Sequence, residues 1–179
     1  MNKIKIITDS TADLPPALAQ KLGITVIPMT VTFGEHVYRD GVDLTNQEFY
    51  QKLSTSEILP TTAQQTPAEL KEYYAAGTAD GSAIIAIHLS SGMSGTVQSA
   101  LVARQTLPDR DITVIDSLGA SLGQGLLALK AAKLANTGVE KDEIIRQVED
   151  TKKHLQQIFT LDTLKYLQKG GRIKKVQAV

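Results

Sequence analysis

Apolar residues occur along this chain in short runs that are separated by longer amphipathic stretches. The runs at 4–7, 82–89 and 112–115 are short, rich in β-branched residues and bounded by polar residues, which is typical of buried strands. Between the runs, apolar positions recur with helical spacing, most clearly over 121–135. Strands that alternate with helices in this way predict an α/β fold, in which helices cover both faces of a parallel sheet.

Local signals place the remaining elements. The segments 45–48 and 66–69 are capping boxes, in which a threonine hydroxyl and a glutamate carboxylate satisfy backbone donors at a helix start. The alternating residues 24–33 predict one further strand, and Pro28 within it favours an edge or a bulge. The other predicted elements are helices over 15–22, 96–105, 141–155 and 164–169 and a short strand over 158–161.

The composition narrows the possible functions. The chain has 179 residues, with 19 Lys and Arg against 19 Asp and Glu, and a formal charge of zero gives no electrostatic footprint for nucleic acid or an anionic membrane. It contains no cysteine, which excludes a disulfide, a thiolate metal site and a thiol nucleophile. No stretch reaches the roughly eighteen apolar residues that a membrane helix needs. We therefore expect a cytoplasmic protein with no integral membrane segment and no nucleic-acid partner.

Most residues that follow the predicted strands carry hydroxyls. The carboxyl ends of parallel strands meet at one edge of a sheet, where α/β proteins bind their ligands. Hydroxyls and free backbone amides there suit a small anion, a carboxylate or a phosphate, although the sequence shows no full compensating cation beside them. A single Ser or Thr is more typical of a helix cap, but the loop 90–96, with Gly92 and Gly95, concentrates them.

Motifs for other chemistries are incomplete. The glycines at 92 and 95 are too close together for a P-loop, and no lysine follows them. The segment 92–96 has the first glycine of a G-x-S-x-G elbow but a threonine in place of the second. The chain order Ser94, Asp116, His154 matches that of an α/β-hydrolase triad. A hydrolase or phosphotransferase that uses these three residues therefore stays open as an alternative.

Metal and interaction sites have weaker signals. The three histidines are too widely spaced for a local metal motif, and His88, within an apolar strand, is typical of a core residue. Asp9 and Asp13 are more typical of a turn residue and a helix-start charge than of magnesium ligands. The basic segment 165–175 is typical of a solvated helix end, and it leaves a protein-interaction module as a further alternative.

Seven segments of the chain are distinctive in their order and spacing. They are 6–14, 27–29, 40–43, 60–64, 89–96, 114–117 and 167–173. Together they resemble the bacterial DegV family. The resemblance implies a parallel-sheet α/β domain over 1–165, followed at 166–179 by the start of a hinge into a second domain whose remainder is absent. It also implies that a long-chain fatty acid lies in a tunnel between the two domains.

The resemblance also implies roles for particular residues. The implied carboxylate contacts are Thr62 and Ser91, with Ser90, Ser94, Gly92 and Gly95 as neighbours. No catalytic residue, metal or cofactor is implied beyond the bound fatty acid, because the family's proteins act as carriers that present the carboxyl group to a kinase for conversion to an acyl phosphate. Ala63 and Gln65 depart from the family pattern, which has serine and proline at these places.

Overall fold

The computed structural model describes residues 3–158 and 160–173, which contain seven strands and seven helices. The strands are β1 (Ile4–Asp9), β2 (Ile24–Ile27), β3 (Thr30–Phe33), β4 (His36–Arg39), β5 (Thr61–Ala63), β6 (Ala83–His88) and β7 (Ile112–Asp116). The helices are α1 (Pro16–Leu22), α2 (Asn46–Thr55), α3 (Pro67–Gly77), α4 (Thr96–Gln105), α5 (Leu122–Asn136), α6 (Lys141–His154) and α7 (Lys165–Lys169). Each predicted helix is confirmed, with ends within two residues of those expected.

Four strands form a parallel sheet in the order β2-β1-β6-β7. Side chains alternate between its two faces, so that Ile85 and Ile87 pack with residues of α5 and α6, whereas Ile84 and Ala86 pack with residues of α3 and α4. Every residue of β6 is buried, which explains its continuous apolar run, since a central parallel strand is covered on both faces. The predicted α/β architecture, with helices on both faces, is confirmed.

A second, antiparallel sheet in the order β4-β3-β5 corrects the prediction of one strand over 24–33. The chain leaves the parallel sheet after Ile27, and β3 begins at Thr30. Pro28 has no amide proton with which to continue the ladder, and the Met29 amide donates to Ser10 Oγ instead (3.0 Å). The alternating pattern is therefore shared between two sheets that the sequence does not distinguish.

The outer strands of this small sheet, β4 and β5, were not predicted. Gly34, at φ 59°, forms the hairpin turn between β3 and β4. β5 is exposed along its whole length and is placed by its pairing with β3, in which Thr62 lies opposite Val31. Helix α2, which packs beside the small sheet through Phe49, has no fully buried residue. This part of the molecule is thin and rests on few buried side chains.

The segment after α6 differs from the prediction. The described residues of 158–161 form no strand, and Phe159 lies outside the described residues. The predicted short helix is confirmed as α7, and Gly171, at φ 73°, turns the chain after it. The lysines of α7 are exposed, as in a solvated helix end, while residues 174–175 of the basic segment lie outside the described residues.

Candidate functional site

The strand order of the parallel sheet creates a crevice between the carboxyl ends of β1 and β6, because the chain leaves these neighbours in opposite directions. Thr11 follows β1 and Leu89 follows β6, and both line the crevice. The small sheet forms the opposite wall with Thr62 of β5 and Asp40, which follows β4. The crevice therefore lies at the hydroxyl-rich edge that the sequence predicts.

Two adjoining cavities occupy this crevice, and we call them the head cavity and the rim cavity. Their volumes are about 310 Å³ and about 480 Å³ respectively. Both are lined by Thr11, Asp40, Thr62, Leu89, Met93 and Arg172. The head cavity adds Met29, Val31, Gln64, Ser94 and Gly95. Its described walls thus combine hydroxyls and apolar side chains with one guanidinium and one carboxylate.

Two hydroxyls in the head cavity are free to donate to a ligand. Thr62 is exposed, and its hydroxyl has no hydrogen-bond partner among the described residues. The hydroxyl oxygens of Ser94 and Thr96 lie 2.9 Å apart, and Thr96 is fully buried. Either oxygen can donate in this pair, and when a ligand accepts from Ser94 the buried Thr96 hydroxyl is the donor to Ser94. The proton of Ser94 is then available to a ligand.

Arg172 is a site residue that sequence reasoning missed. At the end of α7 its amide donates to the carbonyl of Leu167 (2.9 Å), and Gly171 takes a positive φ of 73°, which is a glycine-terminated helix end. This turn brings Arg172 to the wall that contains Thr62. A guanidinium is well suited to bind a carboxylate. No motif signals this pairing, because the two residues lie far apart in the sequence.

Three of the residues implied by the resemblance lie outside the walls of both cavities. The Ser91 amide donates to the carboxylate of Asp116 (3.3 Å), and Ser91 itself is exposed. The Ser90 hydroxyl accepts a hydrogen bond from the Gly92 amide (3.2 Å). The structure therefore brings Thr62, Ser94 and Gly95 together in the head cavity, and it places Ser90, Ser91 and Gly92 beside it.

Gly95 has a packing role in addition to its place in the wall. A Cβ at this position would collide with the side-chain amide of Gln64. Gln64 also donates to Ser99 Oγ (3.1 Å) and thereby joins the small sheet to α4. The absence of a side chain at Gly95 lets Gln64 close this side of the head cavity.

The floor of the crevice is held by Asp9, which is fully buried. Its carboxylate accepts hydrogen bonds from His88 Nδ1 (2.9 Å), the Leu89 amide (3.2 Å) and Gln124 Nε2 (3.1 Å). Burial alone would raise the pKa of Asp9, but the hydrogen bond and charge attraction of His88, with hydrogen bonds from Thr11 and Gln124, lower it. His88 is confirmed as a core residue. Asp9 caps a turn, as predicted, but its burial is not visible in the sequence.

The alternative triad is not assembled. Ser94 is bonded to its neighbour Thr96, Asp116 accepts backbone amides at its own sheet edge, and His154 bonds to the backbone of its own helix. His154 is also exposed. In the described part of the chain, no hydrogen bond joins any two of Ser94, Asp116 and His154.

A complete G-x-S-x-G sequence lies elsewhere, at 119–123, and sequence analysis missed it. Ser121 begins α5 with φ 51° and ψ −134°, which gives the sharp, strained turn of a nucleophile elbow. It lines the rim cavity, and its amide donates to the Thr11 carbonyl (2.8 Å). No histidine lines either cavity among the described residues. The elbow therefore lacks the base that would activate a serine.

A third cavity, the apolar groove, continues from the rim cavity and has a volume of about 760 Å³. The two are joined at Met93, Ala120 and Ser121, which line both. The exposed apolar side chains of the groove include Leu118, Leu122, Leu126 and Ile158, with exposures between 53% and 89%. A contiguous group of large exposed apolar side chains marks a binding surface.

Gln157 fastens the segment after α6 to this groove. Its side chain accepts from the Ala120 amide (3.2 Å) and donates to the Ala120 carbonyl (2.5 Å). A Cβ at Gly119 or Gly123 would collide with the Gln157 side chain, so both glycines keep open the slot that it fills. The segment that leads to α7 and Arg172 is thereby tied to the loop after β7.

Two kinds of site are not found in the described ranges. No group of three or more His, Cys, Asp and Glu side chains is arranged to hold a metal ion. None of the helices in those ranges is both long enough and apolar enough to cross a bilayer.

The fold and the site together define an α/β protein with a hydroxyl-lined cavity at the sheet edge and an apolar groove beside it. A family model described as "Uncharacterised protein, DegV family" matches residues 3–179. The chain belongs to the DegV family, as the sequence resemblance indicates.

Solved and curated relatives agree with this assignment. A DegV domain-containing protein from Clostridium perfringens is 40% identical over 179 residues, which cover 100% of this chain and 64% of the relative. The crystal structure of DegV from Bacillus subtilis, described as a fatty acid binding protein, matches with a TM-score of 0.88 and 37% identity over 99% of this chain and 64% of that one. A stearic acid-binding protein from Eubacterium ventriosum matches with a TM-score of 0.85 and 30% identity over 98% of this chain and 61% of that one. The chain thus spans less than two thirds of the length of these relatives.

Proposed function

We propose that this chain binds a long-chain fatty acid, with its carboxylate in the head cavity and its tail along the apolar groove. The observation that carries the proposal is the continuity of a donor-lined cavity with an exposed apolar groove. The fatty acid bound by relatives of the same fold supports it. In this proposal residues 1–165 form the lipid-binding α/β domain, and 166–179 begin the connection to a second domain.

The chemistry of the head cavity favours a carboxylate over a phosphate. A carboxylate has two acceptor oxygens, to which Thr62 and Ser94 offer hydroxyl protons and Arg172 offers a charged pair of N–H groups. Asp40 lines the same cavity, so the formal charges of the lining residues sum to zero. A single negative charge is therefore easier to accommodate than the double charge of a phosphate monoester.

The groove would supply most of the affinity. Removing an aliphatic chain from water contributes about 0.8 kcal/mol per methylene, so a tail of many methylenes outweighs a few hydrogen bonds to the head group. The bound tail would also cover the exposed leucines of α5, whose contact with water is unfavourable. Head and tail together give the site its preference for a long-chain acid.

We infer further that the bound carboxyl group is presented to a fatty acid kinase. Transfer of the terminal phosphoryl group of ATP to a carboxylate oxygen, with release of ADP, gives the acyl phosphate. The described walls of the head cavity hold the carboxylate through donors, as a carrier requires, and the rim cavity opens beside the exposed Tyr166 of α7. This role places the protein in the cytoplasm, where ATP is available.

The first test is stearate binding to the whole chain, measured by calorimetry. Thr62→Val removes a donor without changing the size of the side chain, and the loss of a hydrogen bond to a charged group should weaken binding roughly tenfold or more. Thr61→Val is the matched control, since Thr61 is the exposed strand neighbour of Thr62 and lines neither cavity. Equal affinities of the two variants would contradict the assignment of Thr62.

The same assay separates the two serines. The resemblance favours Ser91 as a carboxylate contact, whereas the walls of the head cavity include Ser94. We expect Ser94→Ala to weaken stearate binding, and a larger effect of Ser91→Ala would restore the assignment based on the resemblance. The kinase step is tested by mixing the loaded chain with a fatty acid kinase and ATP and trapping acyl phosphate with hydroxylamine. No trapped product would contradict the carrier role.

A further inference from the structure

Three fully buried side chains form a hydrogen-bonded chain between the core and the head cavity. Tyr74 Oη on α3 lies 2.9 Å from His88 Nε2 on β6, and His88 Nδ1 lies 2.9 Å from Asp9 Oδ2 at the end of β1. All three side chains are without solvent exposure. None of them lines the head or rim cavity, and the proposed function gives them no role.

The donor at the carboxylate end of this buried chain follows from the charge of Asp9. An ionised Asp9 can only accept, so His88 donates from Nδ1. Burial, with the nearby charge of Asp9, raises the pKa of Tyr74, so the phenol keeps its proton. Among the described residues that proton has one acceptor, His88 Nε2. His88 Nδ1 therefore donates to Asp9, and His88 Nε2 is the partner of the Tyr74 hydroxyl, so the hydrogen bonds run without a break from Tyr74 to the carboxylate.

The Asp9 carboxylate also accepts hydrogen bonds from residues that line the head cavity. Its carboxylate accepts from the amides of Leu89 (3.2 Å) and Thr11 (3.2 Å) and from the Thr11 hydroxyl. Gln124 of α5 donates to the same carboxylate (3.1 Å). Asp9 thereby joins β1, β6 and α5 at the place where they meet the cavity.

Thr11 differs from the other cavity hydroxyls because its proton is committed. The other polar atom near its hydroxyl is Gln124 Oε1 (2.9 Å), which is also an acceptor, since Gln124 Nε2 donates to Asp9 and Thr8. Thr11 can therefore offer the cavity only lone pairs and a methyl group. Thr62 and Ser94, in contrast, keep protons for a ligand.

We propose that Tyr74, His88 and Asp9 are positioning residues for the carboxylate site, an inference that rests on the proposed function. They fix the walls formed by Thr11 and Leu89, and they hold the Thr11 proton away from the ligand. The ligand oxygens are then met by Thr62, Ser94 and Arg172. The donors around Asp9 also separate its charge from that of the bound carboxylate.

The decisive variant is Tyr74→Phe, which removes one hydrogen bond at the end of the chain remote from the cavity. We expect it to weaken stearate binding about threefold to thirtyfold, the range for coupling through a packed network. Thr78→Val is the matched control, because it removes a buried hydrogen bond to the Tyr74 carbonyl (2.8 Å) but leaves the chain intact. It should bind stearate within about twofold of wild type. Unchanged affinity in a folded Tyr74→Phe protein would overturn the inference.

A second measurement covers the case in which Tyr74→Phe does not fold. In the ¹⁵N spectrum of the wild-type histidine rings, Nδ1 of His88 should carry a proton, and stearate should shift the His88 ring signals while those of the exposed His154 stay unchanged. Unmoved His88 signals in stearate-saturated protein would overturn the positioning role. A wild-type chain that binds no stearate would instead overturn the proposed function, and the inference with it.

Discussion

The two sheets of this molecule contribute to the head cavity in opposite ways. The parallel sheet is buried on both faces. Thr11 and Leu89, which follow two of its strands and line the cavity, both donate backbone hydrogen bonds to the buried Asp9. The small sheet has exposed outer strands, and its contribution, Thr62, keeps its hydroxyl free. The firmly anchored side thus fixes the geometry, and the weakly anchored side offers a free donor.

This division follows from the hydrogen bonds themselves. A hydroxyl that is buried must be satisfied within the protein, so a donor that serves a ligand has to lie at an exposed position. Exposed short strands have few buried contacts and open more easily than the core. We therefore expect the small sheet to open more easily than the parallel sheet.

The largest expected effect is that of Asp9→Asn on the anchored side. The side-chain amide of the new asparagine would bring an N–H donor up against the donors of His88 and the backbone. Losing one partner of a buried pair lowers the free energy of unfolding by about 3–5 kcal/mol at pH 7. Because the pKa of folded Asp9 lies below its ordinary value of 3.8, this stabilisation is complete above pH 4 or so and is lost as the pH falls further. Urea unfolding at several pH values should show the difference between wild type and variant narrowing in acid.

Asp43→Asn is the control for that experiment on the exposed side. Hydrogen bonds from Arg39 lower the pKa of Asp43 too, but the pair is exposed to solvent. We expect its unfolding curve to stay close to that of wild type at every pH. A difference between wild type and Asp9→Asn that does not change between pH 7 and pH 3 would contradict the role given to the Asp9 carboxylate.

A smaller effect is expected from truncating the core of the parallel sheet. Ile85 is fully buried on β6, so Ile85→Ala should lower the free energy of unfolding by about 2–5 kcal/mol. Val37 on β4 is 65% exposed, and Val37→Ala should change the free energy of unfolding by less than about 0.5 kcal/mol. Similar losses in the two variants, measured by urea unfolding, would show that the two sheets are anchored equally.

The smallest effect is expected from removing the capping threonine of α3 or of α2, two helices that begin with the same capping-box chemistry. Thr66 caps α3, which buries Leu70 and Tyr74 against the parallel sheet, whereas Thr45 caps α2, which buries no residue completely. Thr66→Ala should lower the free energy of global unfolding by about 1 kcal/mol. Thr45→Ala should mainly speed amide exchange within α2. Equal global losses would mean that α2 unfolds together with the core.

Much of the parallel-sheet domain could be predicted from the sequence. Continuous β-branched runs mark β1 and β6 because both faces of these strands are buried, and the capping boxes mark helix starts by local chemistry alone. The small sheet could not be predicted as fully, because β4 and β5 are short and exposed and are placed by pairing with β3. The turn at Gly34 was the one local signal for its hairpin.

The candidate site could be predicted only in part. Hydroxyls after strands are a local pattern that indicates Ser94, whereas the family resemblance indicates Thr62. Whether each hydroxyl proton is free depends on partners that the sequence does not reveal. Arg172 and the burial of Asp9 arise from contacts between distant segments. The elbow at Ser121 was different, since its full G-x-S-x-G pattern was present in the sequence and was overlooked.

The slot filled by Gln157 has a consequence for how this protein can evolve. A side chain at Gly119 or Gly123 would displace the Gln157 amide from the slot or require a shorter residue 157, since a Cβ at either glycine would occupy the space of that amide. A shorter residue 157 would in turn leave the backbone of Ala120 without its two partners. A substitution at any of the three positions therefore disturbs one shared contact, and we expect the three to vary together among relatives, although they lie in separate parts of the sequence.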